Sequence, residues 1–213
     1  WTLQSRYESA GTGLVGGDWY DALVLPSGRL ALVVGDVTGH GLQAAATMGQ
    51  LGTTLRAALV STGSAVEAVT LLGDVARWTL PGEVATIAVA VLDPVTGVVE
   101  HVSLGHPPLL VVAPDGTTSW TESAIVPPLG LVDRVPPAQH VQVPPGGALV
   151  LYSDGLVERR EESILDGLRR LAAFFAAEPG TVDVDGVVAA ARDPRSADDA
   201  TLLRVGLVEP AAA

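Results

Sequence analysis

Short apolar runs bounded by turn residues alternate along this chain with two stretches of longer period. Residues 22–25 (ALVL) and 29–35 (RLALVVG) are apolar runs separated by Pro26-Ser27-Gly28, a hairpin signal. Over 42–60 the period lengthens: Met48, Leu51, Leu55 and Ala58 recur at helical spacing. Ser64 and Glu67 stand as in a capping box, which predicts a second helix over 65–80, ended by Pro81-Gly82. Strand patterns return at 86–93, 98–105, 108–113 and 147–154, punctuated by Asp93-Pro94, Gly97 and Asp115-Gly116. Residues 163–177 and 183–192 read as helices split by Pro179-Gly180, and 200–208 as a closing strand. The proline-rich segment 121–146 reads as a long loop.

Adjacent hairpins imply antiparallel sheets rather than alternating βαβ units. The strands are nearly continuous in apolar residues, so both faces of each sheet need cover. Two sheets packed together, each covered outside by a helix pair, meet that need. The expected fold class is therefore α+β, an α-β-β-α sandwich of two antiparallel sheets flanked by helix pairs. No internal repeat or boundary is visible, so residues 1–213 are read as a single domain. The chain starts at Trp1, and the expectation is a domain excised from a longer protein.

Composition narrows the function. Hydrophobic residues make up 48% and charged residues 17%, a globular balance, and with aromatics at 4% the core must be aliphatic. Lys and Arg number 12 against 24 Asp and Glu, a net charge of −12, which argues against a nucleic-acid partner. There is no Cys, which excludes disulfides, zinc–thiolate sites and thiol nucleophiles and fits a reducing compartment. No apolar run is long enough to span a bilayer and no signal peptide is visible, so no membrane role and a cytoplasmic location are expected. With so few cations, many carboxylates need another partner, and a metal ion is one.

Four carboxylates, Asp18, Asp36, Asp154 and Asp198, stand at predicted strand ends or opposite one. Asp36 follows the run 29–35 and leads into Val37-Thr38-Gly39-His40-Gly41. A turn centred on Ser27 places Asp18 opposite Asp36, with Cβ atoms about 4.5–5.5 Å apart. Like charges that close are destabilising unless a cation joins them or one takes a proton. Asp154 ends the strand at 147–154 and is followed by Gly155, while Asp198 and Asp199 precede the closing strand. If those two strands are antiparallel neighbours, their acidic ends meet at one edge. Oxygen ligands without Cys favour Mg²⁺ or Mn²⁺. Any one Asp before Gly is ordinary turn chemistry; the four together favour metal. Asp21 falls on the opposite face of its strand from Asp18, where a structural hydrogen-bonding role is at least as good a reading. His40 lies near Asp36 between two glycines, whereas Gly105-His106-Pro107-Pro108 reads first as a rigid turn.

The motifs VGGDWYD, VVGDVTGHG, GHPPLL, PPLG, LYSDGLVERR and DDATLL, in this order from about Arg6 to Val208, resemble the SpoIIE/RsbU-type serine phosphatases of the metal-dependent PPM (type 2C) superfamily. The resemblance implies the same sandwich fold and two divalent metal ions, Mn²⁺ or Mg²⁺, at its edge. It implies that Asp36 bridges both ions, that Asp18 and the Val37 carbonyl hold one, and that Asp154 and Asp198 hold the other. Asp199 would support or replace Asp198, with Asp21, His40 and Gly155 beside these groups. Asp36, Asp18 and Asp154 would carry catalysis, with a water activated by the two ions attacking a phosphoserine or phosphothreonine. The implied substrate is a phosphorylated STAS-domain anti-anti-sigma protein, within partner switching, sigma-factor control and stress-response signalling. The implied full-length protein carries an upstream sensor domain. Eukaryotic members grip phosphate with an Arg shortly before the first metal carboxylate; here that region reads GTGLVGGD, without one. That departure keeps open a non-catalytic pseudo-phosphatase, a binding or scaffold module of the same pathway. A two-metal nuclease is disfavoured by the acidic surface. Exposed helix pairs leave room for a homodimer.

Overall fold

The run 30–37 is apolar throughout because both of its faces are covered. A computed structural model of the chain describes residues 1–9, 16–122, 126–177, 182–193, 195–196 and 198–208. In chain order these form β1 (Thr2–Glu8), β2 (Asp18–Val24), β3 (Leu30–Val37), α1 (Leu42–Thr62), α2 (Ala65–Thr79), β4 (Ala85–Leu92) and β5 (Val98–Leu104). Then come β6 (Leu110–Val112), β7 (Thr118–Trp120), β8 (Gln139–Gln142), β9 (Ala148–Tyr152), a single 3₁₀ turn (Asp154–Leu156), α3 (Ile164–Ala177), α4 (Val184–Ala191) and β10 (Ala200–Gly206). One sheet has the order β2-β3-β4-β5-β8 and the other β1-β10-β9-β6-β7, with neighbouring strands antiparallel.

Strand alternation divides the apolar residues into three layers. Ala31, Val33 and Val37 of β3 face outward and pack with Leu51, Leu55 and Leu59 of α1 and Val69 and Leu72 of α2. Leu30, Leu32 and Val34 face inward and meet Leu149, Leu151, Leu203 and Val205 of the second sheet. Val150 and Leu202 face the other way, against Leu171 and Phe175 of α3 and Val188 of α4. The α-β-β-α sandwich expected from the sequence is thus the observed fold.

Local signals place the helices as expected. The Ser64 side chain caps α2 by accepting from the Glu67 N–H. The second half of that cap comes from elsewhere: Glu100 of β5 accepts from both the Ser64 hydroxyl (2.7 Å) and the Val66 N–H (3.1 Å). Three strands escaped the sequence pattern. β1 is a largely exposed edge strand with no apolar alternation, and β7 has only three residues. β8 lies inside the segment read as a long loop. It is a polar edge strand, Gln139-His140-Val141-Gln142, whose pairing with β5 the flanking prolines concealed. The predicted helix break at Pro179-Gly180 lies outside the described residues.

Candidate metal centre

The hairpin register brings the first two carboxylates together. Leu25 N–H bonds the Arg29 carbonyl and closes the turn, and Asp18 then stands directly opposite Asp36. On its other side Asp36 pairs with Thr86 of β4. In the second sheet β9 and β10 are antiparallel, with Tyr152 opposite Leu202. The residues after β9 and before β10 therefore reach one edge together, carrying Asp154, Asp198 and Asp199. Two hydroxyls join the sheets there. Thr201 Oγ1 donates to Asp18 Oδ2 at 2.8 Å. The Ser153 hydroxyl also bonds the Asp18 carboxylate, and its oxygen accepts from the Thr201 N–H at 2.9 Å.

Electrostatics mark the cluster as short of positive charge. Burial pushes the Asp36 carboxyl up to about 8, with the charges of Asp18, Asp154, Asp198 and Asp199 adding to it. Asp18 is raised to about 7, chiefly by burial, against the lowering effect of the Ser153 and Thr201 hydroxyls. Asp154 rises to about 6 through burial and the nearby Asp198 and Glu158. Among the described residues no salt bridge reaches Asp18, Asp36 or Asp154. Such a group of mutually repelling carboxylates is satisfied by protons or by cations. Among the described residues no three His, Asp or Glu side chains form a ready cage for one ion. The edge offers carboxylates together with the Val37 carbonyl oxygen, which lies with Asp36 Oδ1 against Gly17. That donor set suits a hard ion that keeps several waters, as Mg²⁺ does.

Small residues give the cluster its room. Gly39 and Gly41 adopt φ of 102° and 85°, so the loop around His40 turns through a left-handed backbone that glycine adopts without strain. Gly17 carries the backbone against the end of β3: a Cβ there would lie 2.3 Å from the Val37 carbonyl oxygen and 2.8 Å from Asp36 Oδ1. Gly155 is equally confined, since a Cβ would meet the Asp199 carbonyl oxygen at 1.9 Å. Gly155→Ala is expected to destabilise the fold by about 1–3 kcal/mol through overpacking, measured by urea unfolding. An unchanged midpoint would show that the edge yields more readily than this packing implies.

The structure gathers Asp18, Asp36, Asp154, Asp198 and Asp199 at one edge and leaves two other candidates apart. Asp21 faces α1, where Arg56 Nε and Nη2 grip its two oxygens at 2.8 and 2.9 Å. His40 is exposed on the loop after β3. Three polar groups at the edge were not singled out from the sequence. Ser153 and Thr201 lie inside quoted motifs, and only the meeting of the two sheets reveals them as the groups holding Asp18. Tyr7 of β1 bonds Asp199 through its hydroxyl, and burial with the Asp199 and Asp18 charges pushes that phenol up to about 12.

The family profile described as Stage II sporulation protein E (SpoIIE) matches residues 26–207, most of the chain. The chain belongs to the SpoIIE family. Protein IcfG of Synechocystis is 26% identical over 221 residues, covering 86% of this chain and 34% of IcfG. The RsbU and RsbW domains of Rv1364c from Mycobacterium tuberculosis superpose with a TM-score of 0.88 at 31% identity, over 99% of this chain and 62% of that one. The PP2C phosphatase domain of SpoIIE from Bacillus subtilis, with a fragment of its regulatory domain, gives a TM-score of 0.80 at 18% identity, over 99% and 63%. This SpoIIE-family chain thus has the fold of PP2C phosphatase domains and spans about a third to under two thirds of these relatives' lengths. Among its described residues no helix is long and apolar enough to cross a membrane.

Proposed function

We propose that this chain is a metal-dependent protein serine/threonine phosphatase that hydrolyses a phosphoserine or phosphothreonine, with a STAS-domain anti-anti-sigma protein as its substrate. The observation that carries the reading is the convergence of Asp18, Asp36, Asp154 and Asp198 at one edge of a PP2C-type sandwich, three of them with raised pKa. Asp36 would be shared between two ions, Asp18 and the Val37 carbonyl would hold one, and Asp154 and Asp198 the other, with Asp199 supporting Asp198. When bound, Mn²⁺ or Mg²⁺ would supply an acidified water as nucleophile and positive charge against the phosphate.

The chain's own groups prepare that edge. Ser153 and Thr201 fix the Asp18 carboxylate across the two sheets. Burial makes each carboxylate a stronger ligand for a cation than it would be in water. A phosphate dianion would be repelled by these carboxylates on their own, so loading with ions must precede substrate binding. Water then replaces the serine oxygen on phosphorus, releasing inorganic phosphate and the free hydroxyl, with no need for a side-chain nucleophile. In the cell we place the chain in the cytoplasm, as the catalytic domain of a longer sensor-bearing protein.

The test is phosphate release from a phosphoserine STAS-domain protein with Mn²⁺ and with a chelator. Release with Mn²⁺ that stops in chelator is the expected result. Binding of the phosphoprotein without release would favour the non-catalytic binding module instead.

A further inference from the structure

The Gly105-His106-Pro107-Pro108 turn is a sequence feature that the metal centre leaves unused. The His106 side chain is buried, and both ring nitrogens are engaged. Nε2 lies 2.9 Å from the Tyr152 carbonyl oxygen, and Nδ1 lies 2.9 Å from Thr86 Oγ1. A carbonyl oxygen can only accept, so Nε2 carries the proton, and Nδ1 of the neutral ring accepts from the Thr86 hydroxyl. Burial favours that neutral form and pulls the imidazole down to about 4. The turn itself is anchored: Ser103 Oγ donates to the His106 carbonyl at 3.0 Å, and Gly105 bridges Ile87 of β4.

The two partners of the ring belong to different sheets. Thr86 is the cross-strand neighbour of Asp36. Tyr152 ends β9, and Ser153 and Asp154 follow it. Asp36 and Asp154 repel one another across this edge, so the sheet ends tend to part when no cation joins them. The Ser153 and Thr201 hydroxyls restrain Asp18, but among the described residues neither bonds Asp36. We infer that His106 is a positioning residue: its neutral imidazole, protonated on Nε2, braces Thr86 of one sheet against Tyr152 of the other and so sets the spacing of Asp36 and Asp154. This rests on the metal-dependent reading above.

The test combines a spectrum with metal titrations of the folded protein. Thr86→Val keeps the side-chain shape and removes the hydroxyl; His106→Leu removes both ring contacts; His106→Gln restores one donor and one acceptor. Nitrogen-15 NMR at neutral pH should show a neutral His106 protonated on Nε2. The calorimetric Kd for Mn²⁺ should weaken about tenfold or more in Thr86→Val and His106→Leu, the usual cost of losing a group that orients metal ligands, and recover in part in His106→Gln. Should His106→Leu fail to fold, Thr86→Val decides. A ring protonated on Nδ1, or a Thr86→Val affinity within about twofold of wild type, a change below that usual cost, would overturn the inference. Wild-type protein that binds no Mn²⁺ would remove the metal reading and the brace together. Wild-type binding with unaffected variants would remove the brace alone.

Discussion

Asp36→Asn is expected to abolish phosphate release while making the metal-free protein more stable. Asp36 is the carboxylate with the most to lose on both counts. It stands between Asp18 on its own sheet and Asp154 on the other, and burial with four neighbouring carboxylates raises it to about 8. If the two ions supply about 4 kcal/mol of transition-state stabilisation and need Asp36 between them, losing it lowers kcat/KM about 10³-fold. The amide has nearly the same shape and no charge to desolvate. In chelator the variant should therefore unfold at a higher temperature than wild type. The two signs are opposite, which separates a metal ligand from a structural carboxylate: replacing a structural one lowers stability. A variant that keeps its activity, or that loses stability along with it, would refute the bridging role.

In chelator, wild-type protein is expected to lose stability as the pH rises from about 6.5 to 8, against the usual behaviour of carboxylates. The folded values of Asp18 and Asp36, about 7 and about 8, lie above the ordinary 3.8 that they regain on unfolding. Between those values the folded chain holds protons that the unfolded chain has released. Raising the pH therefore favours unfolding until Asp36 has ionised, near pH 8. Asp154, raised to about 6, adds to the same trend at lower pH. Buried His101 and His106, both lowered to about 4 from an ordinary 6.5, work the other way below about pH 6.5. The lowered Asp93, Asp115, Asp166 and Asp193 act below the ordinary carboxylate range. The raised carboxyls of Asp18 and Asp36 thus set the expected trend from 6.5 to 8. Saturating Mn²⁺ takes the place of the protons and should remove the trend, adding about 2.7 kcal/mol for each ion bound at a hundredfold excess over its Kd. Scanning calorimetry at pH 6.5 and 8, with chelator and with Mn²⁺, reads both effects. A Tm that rises with pH in chelator would contradict the account.

Much of this edge could be read from the sequence because local signals fixed long-range geometry. Pro26-Ser27-Gly28 set the β2–β3 register, and the register set Asp18 against Asp36. The strand ends at Asp154 and before Asp198 needed one further assumption, that β9 and β10 are neighbours, which they are. The two-residue period of the strand also puts Asp21 on the face opposite Asp18, where Arg56 takes it up. What stayed hidden depends on contacts between distant segments. Ser153 and Thr201 hold Asp18 only because two sheets meet face to face. Tyr7 reaches Asp199 from an edge strand whose own sequence has no alternation to announce it. Glu100 completes the cap of α2 from a strand more than thirty residues on in the chain, about the reach that local pattern rules do not cover. β8 was masked by the prolines on either side of it.

The most direct test of the central claim is a calorimetric titration of wild-type chain with Mn²⁺ near pH 7.5. Two ions per chain should bind, with release of protons from the carboxylates that hold them in the metal-free state. Absence of binding, or binding without proton release, would contradict that claim.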